Sequence, residues 1–327
     1  LPGQNKIAGV LADGISGMGI YHHLPREKYS SATAFKSYHF IEDKIVAQGS
    51  GIARYRKGQG QAIATFVDQS VLDAPLTLCV NGETREIAPG ESVEMAESIE
   101  NACWLHQGQK GYVILPRKKQ QLLIKTGTDI NVTDRRKQVK KPGFIVAVNH
   151  GTNPGTEWDN GYCYILLPNV SKEEMPERLD QLLKDVDSRQ VDGIAHAVCS
   201  ASDRAWQYAF FQPGSVSAGG VEVASEDVAQ IMLREEEDNW ILSVGNPMPD
   251  GKKQTLSFHL SMQLPQGTYT YRAGGIHPLD GETVKIVNDG KGSKVTVELP
   301  DERDAARYNY QSDLYAATPI TVCIPKK

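Results

Sequence analysis

The sequence predicts an all-β protein: a large antiparallel β-sandwich over residues 1–215 carrying one surface helix, then a smaller β-sandwich over 216–327. Three observations predict it. The apolar segments are short, rich in β-branched and aromatic side chains, and bounded by Gly, Pro, Asn and Asp. One stretch alone carries a clear helical period. No strand–helix–strand alternation recurs, so a parallel βαβ architecture is excluded.

In chain order, the strand-like runs are Ala62–Val67, Leu76–Val80, Tyr112–Leu115, Leu122–Lys125, Phe144–Val148 and Tyr162–Leu167. After these come Ile194–Cys199, Gln207–Phe211, Ile231–Arg234, Trp240–Val244, Thr255–Leu260, Thr268–Tyr271, Val284–Val287, Val295–Leu299 and Ile320–Ile324. Asn81-Gly82 directly follows one run, and both residues tolerate positive φ, so a tight hairpin is expected there. Asn288-Asp289-Gly290-Lys291-Gly292 links two later runs in the same way. The acidic run Glu235-Glu236-Glu237-Asp238 before Trp240 reads as a solvated hairpin tip.

The helix opens on Ser171-Lys172-Glu173-Glu174, a capping box with acidic residues in its first turn. Leu179, Leu182, Leu183 and Val186 follow at helical spacing and make one apolar face. Pro176 falls early enough to be tolerated. The domain boundary is placed in Gln212-Pro213-Gly214-Ser215-Val216-Ser217-Ala218-Gly219-Gly220, whose Gly, Pro and Ser content favours turning over packing.

Composition narrows the function classes. Of 327 residues, 40% are hydrophobic, enough for a substantial core. The 35 basic and 40 acidic residues are interspersed, so no basic stripe points to nucleic acid. With a net charge of −5, a polyanionic partner would need local basic patches to bind. No apolar run reaches the roughly 18–20 residues that span a bilayer, so no membrane partner is expected. Cys79, Cys103, Cys163, Cys199 and Cys323 are far apart and never paired as C-x-x-C, which argues against a zinc knuckle or a dense disulfide framework. One disulfide remains open.

Two stretches look specific: Lys36-Ser37-Tyr38-His39-Phe40-Ile41-Glu42-Asp43-Lys44-Ile45-Val46-Ala47-Gln48-Gly49-Ser50-Gly51-Ile52, and Val148-Asn149-His150-Gly151 with Tyr162-Cys163-Tyr164-Ile165-Leu166-Leu167-Pro168. Together they resemble the β-sandwich region of polysaccharide lyase family 8, the family of chondroitin, hyaluronan and xanthan lyases. Leu242-Ser243-Val244-Gly245-Asn246-Pro247 resembles the start of that family's small C-terminal sandwich. The overall tone is similar to chondroitin sulfate ABC-type lyases. Gln48, where the family usually carries an apolar residue, and Asn246, where it often carries Asp, depart from the pattern.

The resemblance implies metal-independent β-elimination at hexosamine–uronate linkages, with no cofactor. A Tyr takes the C5 proton, while His, Arg and Asn groups neutralise the uronate carboxylate, because that proton leaves only when the developing charge is stabilised. In the family those groups belong chiefly to an upstream helical toroid, and nothing here resembles its long amphipathic helices. The resemblance therefore implies no catalytic residue in this chain, which alone is expected to be inactive. The implied partners are an acidic polysaccharide (chondroitin or dermatan sulfate, or hyaluronan) and the upstream catalytic helical domain. A periplasmic or secreted location follows from that substrate class alone. A second reading is a non-catalytic carbohydrate-binding or structural β-sandwich protein. A metal-dependent hydrolase is disfavoured, because no ligands cluster at metal spacing.

The candidate substrate-binding residues are His150, Trp158, Arg54 and Arg56. His150, at a strand end, suits acid–base work, but the favoured reading is that Asn149 and Gly151 make a turn in which His150 only bonds the next loop. Trp158, in Glu157-Trp158-Asp159-Asn160, could stack on a sugar ring or pack under its own loop. Arg54-Tyr55-Arg56-Lys57 and Arg135-Arg136-Lys137 with Lys140-Lys141 are basic patches suited to carboxylate or sulfate, or else solvated loops. Tyr21-His22-His23 suggests a metal cluster, but adjacent residues of a strand face opposite ways and cannot share one ion.

Overall fold

The computed structural model describes residues 6–24, 32–55, 60–128, 141–248, 254–270, 283–299 and 319–326. The chain forms two compact units. A terminal unit takes Leu1–His23, Phe35–Glu42 and Lys184–Lys327; a central unit takes Leu24–Ala34 and Asp43–Leu183. Both are antiparallel β structures.

The chain opens with β1 (Ala8–Ala12), β2 (Gly17–His23) and β3 (Ala32–Ile41). In the β1–β2 turn, Asp13 Oδ1 accepts from the backbone N–H of Ile15 and Ser16 at 2.9 and 2.7 Å, closing an Asx-type turn. Leu11, Met18 and Ile20 of this hairpin are buried with Ala209, Phe211 and Met232 in a small core of the terminal unit.

The central unit follows with β4 (Lys44–Arg54), β5 (Ile63–Val71), β6 (Leu76–Val80), β7 (Glu83–Ile87) and β8 (Val93–Ile99). Next are β9 (Cys103–Gln107), β10 (Lys110–Ile114), β11 (Gln120–Gly127), β12 (Gly143–Gly151) and β13 (Tyr162–Pro168). Hydrogen bonding orders one set β4-β13-β10-β9-β6-β7 and the other β5-β12-β11-β8. Side chains alternate across each strand, and on β11 Gln120, Leu122, Ile124 and Thr126 turn inward.

Asn81 (φ 53°) and Gly82 (φ 83°) make the expected two-residue turn between β6 and β7, with Val80 opposite Glu83. A Cβ on Gly82 would meet nothing within 4 Å, so only the left-handed backbone opposes one. Gly82→Ala is therefore expected to cost about 1 kcal/mol, measurable by chemical denaturation. An unchanged midpoint would refute it.

The helix α1 spans Met175–Asp185, starting four residues after Ser171 and directly behind its capping box. Glu174 Oε2 accepts from the Ser171 N–H at 2.8 Å and from its hydroxyl at 2.6 Å. The later start rotates the buried face toward Met175 and Leu182, leaves Leu183 52% exposed, and makes Val186 the first residue of β14. Met175 seats on β10 where Gly111 has no side chain; a Cβ there would lie 2.4 Å from the Met175 sulfur.

The terminal unit continues with β14 (Val186–Val191), β15 (Ala195–Ser200), β16 (Ala205–Phe210), β17 (Gly214–Ala218), β18 (Val221–Ser225) and β19 (Ala229–Glu235). After them come β20 (Asn239–Gly245), β21 (Gln254–Leu260), β22 (Gly267–Thr270), β23 (Thr283–Asn288), β24 (Ser293–Leu299) and β25 (Ile320–Pro325). The sheets β14-β15-β16-β19-β20-β25 and β17-β18-β21-β24-β23-β22 enclose one core that includes Tyr208, Phe210, Ile231, Leu242, Phe258 and Val297.

The segment 212–220 lies inside this unit. Gly214–Ala218 is β17, and Val216 and Ala218 enter the core at alternating positions. Its loop-like composition points away from a strand because burial of two small apolar side chains, not strand propensity, makes it one. Leu242–Pro247 begins inside β20, between β19 and β25, so it does not open a separate sheet. The β19–β20 tip is held by charge as well as water: Lys326 and Arg204 bond Glu235 at 2.9 and 3.0 Å. All five cysteines are free thiols, Cys323 exposed and Cys103, Cys163 and Cys199 buried.

Candidate functional site

The sequence candidates gather where β4, β12 and the loop into β13 end, within the central unit. Asn149 Oδ1 accepts from the Gly151 N–H at 3.0 Å, and Gly151 takes φ 72°, so Asn and Gly do make the turn. His150 is fully buried. Its Nδ1 lies 2.9 Å from the Asp159 carbonyl and its Nε2 2.9 Å from Thr65 Oγ1. A carbonyl only accepts, so Nδ1 carries a proton and donates to the Asp159 carbonyl, while Nε2 shares a hydrogen bond with the Thr65 hydroxyl. Both ring nitrogens are engaged, and His150 acts as a strut between strand and loop.

Asp159 anchors the same loop from the other side. Its side chain is 0% exposed and takes a two-pronged contact from Arg117, Nε to Oδ2 at 3.1 Å and Nη2 to Oδ1 at 2.9 Å. Gln120 Nε2 donates to the Gly161 carbonyl at 2.8 Å, tying β11 to the residue before β13. Trp158 is 9% exposed, with Lys119 Nζ 5.2 Å from its ring centre, so its ring is packed under the loop. Arg54 donates to the Thr152 carbonyl at 3.2 and 3.0 Å and to the Gln61 carbonyl, so its guanidinium also holds loop backbone. Arg56 lies outside the described residues, as do Arg135, Arg136, Lys137 and Lys140. The structure thus joins His150, Trp158 and Arg54 around one loop, with the imidazole and indole buried and the guanidinium bound to loop backbone at the surface.

A second group sits where β5 meets β10. Asp68 Oδ2 accepts from Lys110 Nζ at 2.8 Å and from the Tyr112 hydroxyl. Burial alone would raise the Asp68 carboxyl, but hydrogen bonds from Lys110 and Tyr112 outweigh it and hold it below the ordinary carboxylate range. Burial first, then the Asp68 carboxylate, pushes the Tyr112 phenol up. A phenol so placed keeps its proton.

A third group, in the terminal unit, has no signature in the sequence. His196 Nδ1 lies 2.8 Å from Ser37 Oγ, Ser37 Oγ 3.0 Å from His39 Nε2, and His39 Nδ1 3.2 Å from Gln207 Oε1. Gln207 Nε2 donates to the Phe40 carbonyl, which turns its oxygen toward His39 and sets the direction of the whole chain. These four side chains are 0–1% exposed, so the serine–histidine contact is interior scaffolding. His22 and His23 do face opposite ways. His22 stacks on Phe35 with ring centres 4.1 Å apart, and His23 stands edge-on to Tyr21 at 6.3 Å. Among the described residues no three His, Cys, Asp or Glu side chains are placed to share a metal ion.

Solved structures of polysaccharide lyases share this fold. A chondroitinase AC lyase described with enzyme–oligosaccharide complexes superposes with a TM-score of 0.66 at 20% identity, over 97% of this chain and 39% of its own. A point mutant of the Streptomyces coelicolor A3 chondroitin AC lyase gives 0.65 at 19%, over 98% of this chain and 36% of its own. Paenibacillus xanthan lyase gives 0.65 at 19%, over 100% and 31%. The chain therefore spans about a third of the length of these structures. No curated protein matches it. The fold defines the class: a lyase-type β super-sandwich. The family profile "Polysaccharide lyase family 8, super-sandwich domain" matches residues 2–179, and the chain belongs to polysaccharide lyase family 8.

Proposed function

We propose that this chain is the β part of a glycosaminoglycan lyase of chondroitin type, which eliminates across hexosamine–uronate linkages without a metal and draws its proton-handling residues from an upstream helical domain. The observation that carries the reading is the match of residues 2–179 to the family's super-sandwich. Elimination needs a base that reaches the uronate C5 proton and donors that neutralise the carboxylate. In this chain the two candidate groups are committed elsewhere. His150 spends both nitrogens on Asp159 and Thr65, and Tyr112 donates to Asp68 with its phenol pushed up.

The chain alone is then inactive, and its sheets serve as a wall for an acidic polysaccharide. A periplasmic or secreted location follows from a polysaccharide substrate. The test is direct: incubate the 327-residue chain with chondroitin sulfate and follow the ultraviolet absorbance of unsaturated uronate. No product is expected, while product should form once a helical domain is joined upstream. Turnover by the chain alone would overturn its inactivity; glycan binding without turnover in the longer protein would favour a binding module.

A further inference from the structure

The first long stretch that resembles the family begins at Lys36, whose side chain belongs to none of the three groups around His150, Asp68 and Ser37. On β2, Met18 and Ile20 enter the small core of the terminal unit, so Tyr21 and His23 turn to the other face. On β3, Ser37 and His39 are buried, so Lys36, Tyr38 and Phe40 share the face opposite to theirs. The two sets meet. Tyr21 and Tyr38 stack nearly parallel, 12° apart with ring centres 6.5 Å from each other, and Lys36 Nζ lies 5.8 Å from the Tyr21 ring centre. Phe40 is 47% exposed.

Lys36 is partly buried, and among the described residues no carboxylate pairs with it. Burial lowers its pKa, and no carboxylate among the described residues offsets that cost. The Tyr21 ring offsets part of that desolvation by cation–π attraction, and an anion at the ammonium would offset more. Aromatic rings next to a cation also suit a sugar ring that carries an acidic group, since the ring's C–H face packs on the aromatics while the acid meets the cation.

We propose that this face of β2 and β3 is a subsite for one acidic sugar unit, with Tyr21 and Tyr38 carrying its ring and Lys36 pairing its carboxylate or sulfate. It deepens the reading of an acidic polysaccharide partner and rests on it. His23 widens the site, and burial together with the nearby Lys36 charge lowers its pKa, so the ring stays neutral and acts as a hydrogen-bonding group.

The test is calorimetric binding of the folded chain to chondroitin 4-sulfate, unsulfated chondroitin and carboxyl-reduced chondroitin octasaccharides. Lys36→Met should weaken binding of the 4-sulfate probe by about tenfold. Lys36→Arg should retain it, and Lys125→Met, on β11, should leave it unchanged. The unsulfated probe retains the Lys36 effect if the partner is the carboxylate; loss of the effect assigns it to the sulfate. The carboxyl-reduced probe, without sulfate, should bind weakly and show no Lys36 effect. Because no carboxylate among the described residues pairs with Lys36, Lys36→Met should unfold at the same temperature as the parent or higher, which separates lost binding from lost folding. Binding that ignores Lys36 would overturn the subsite and leave the polysaccharide reading standing. No binding of any acidic octasaccharide would overturn both.

Discussion

Asp159→Ala should destabilise the central unit by about 3 kcal/mol or more, because it strips a partly buried guanidinium of its counter-charge. The carboxylate is 0% exposed and Arg117 23%, so the pair is largely withdrawn from water, though Arg117 keeps some access to it. That access places the expected cost at the low end for a broken buried pair. The backbone adds to it: the Asp159 carbonyl is the acceptor for His150, so a loop that loosens at residue 159 also loosens the strut. Urea unfolding of the variant measures the loss, and a change below about 0.5 kcal/mol would show that the pair contributes nothing. Replacing both partners, Asp159→Leu with Arg117→Met, should cost less than Asp159→Ala alone. The double change removes two charges together, and the single one strands a charge.

Gly49→Ala should cost on the order of 3 kcal/mol, the upper end of what one forced methyl does to a packed interior. Gly49 faces Tyr162 across the β4–β13 pair, and the Tyr162 ring lies on it. A Cβ at position 49 would fall 2.1 Å from Cε1, 2.6 Å from Cζ and 2.8 Å from Cδ1. Tyr162 is 1% exposed and flanked by the rings of Tyr164 and His150, with ring centres 5.9 and 6.4 Å away. The ring is buried, so moving it off the new methyl would disturb its packed neighbours. The thermal midpoint should fall, and Tyr162→Leu in the Gly49→Ala background should recover part of it by vacating the space. An unaltered midpoint for Gly49→Ala alone would refute the close packing.

That contact also explains part of the resemblance. Gln48-Gly49-Ser50-Gly51 and Tyr162-Cys163-Tyr164 are distant in the chain, yet β4 and β13 are hydrogen-bonded neighbours, with Gly49 opposite Tyr162 and Gln48 opposite Cys163. The two motifs are two sides of one strand pair. Gln48, the departure from the family pattern, is 1% exposed on β4. The candidate site is legible in the same partial way. Asn149 and Gly151 announce a turn and place His150 at it, because these are local backbone preferences. Arg117 carries no local signal, and Asp159 reads only as a neighbour of Trp158. Their contact joins residues 42 apart, and no pattern in a single sequence encodes which charge meets which.

Local chemistry by itself marked strands such as β5, β6, β10–β13 and β19–β25, the tight turn at Asn81-Gly82 and the one helix, since alternation, positive-φ residues and capping depend on a few neighbours; it did not mark β1–β4, β7–β9, β14, β17 or β18. It also determined family membership, through motifs on 36–52 and 148–168 that lie within the matched span. Only the tertiary structure decided which strands share a sheet, that 214–218 is a core strand, that His150 and Trp158 are buried, and that Arg54 is spent on loop backbone. The reason is energetic. Sheet partners, buried ion pairs and ring-on-glycine contacts are chosen by what can be withdrawn from water together, and that selection operates between segments that are often far apart in the chain.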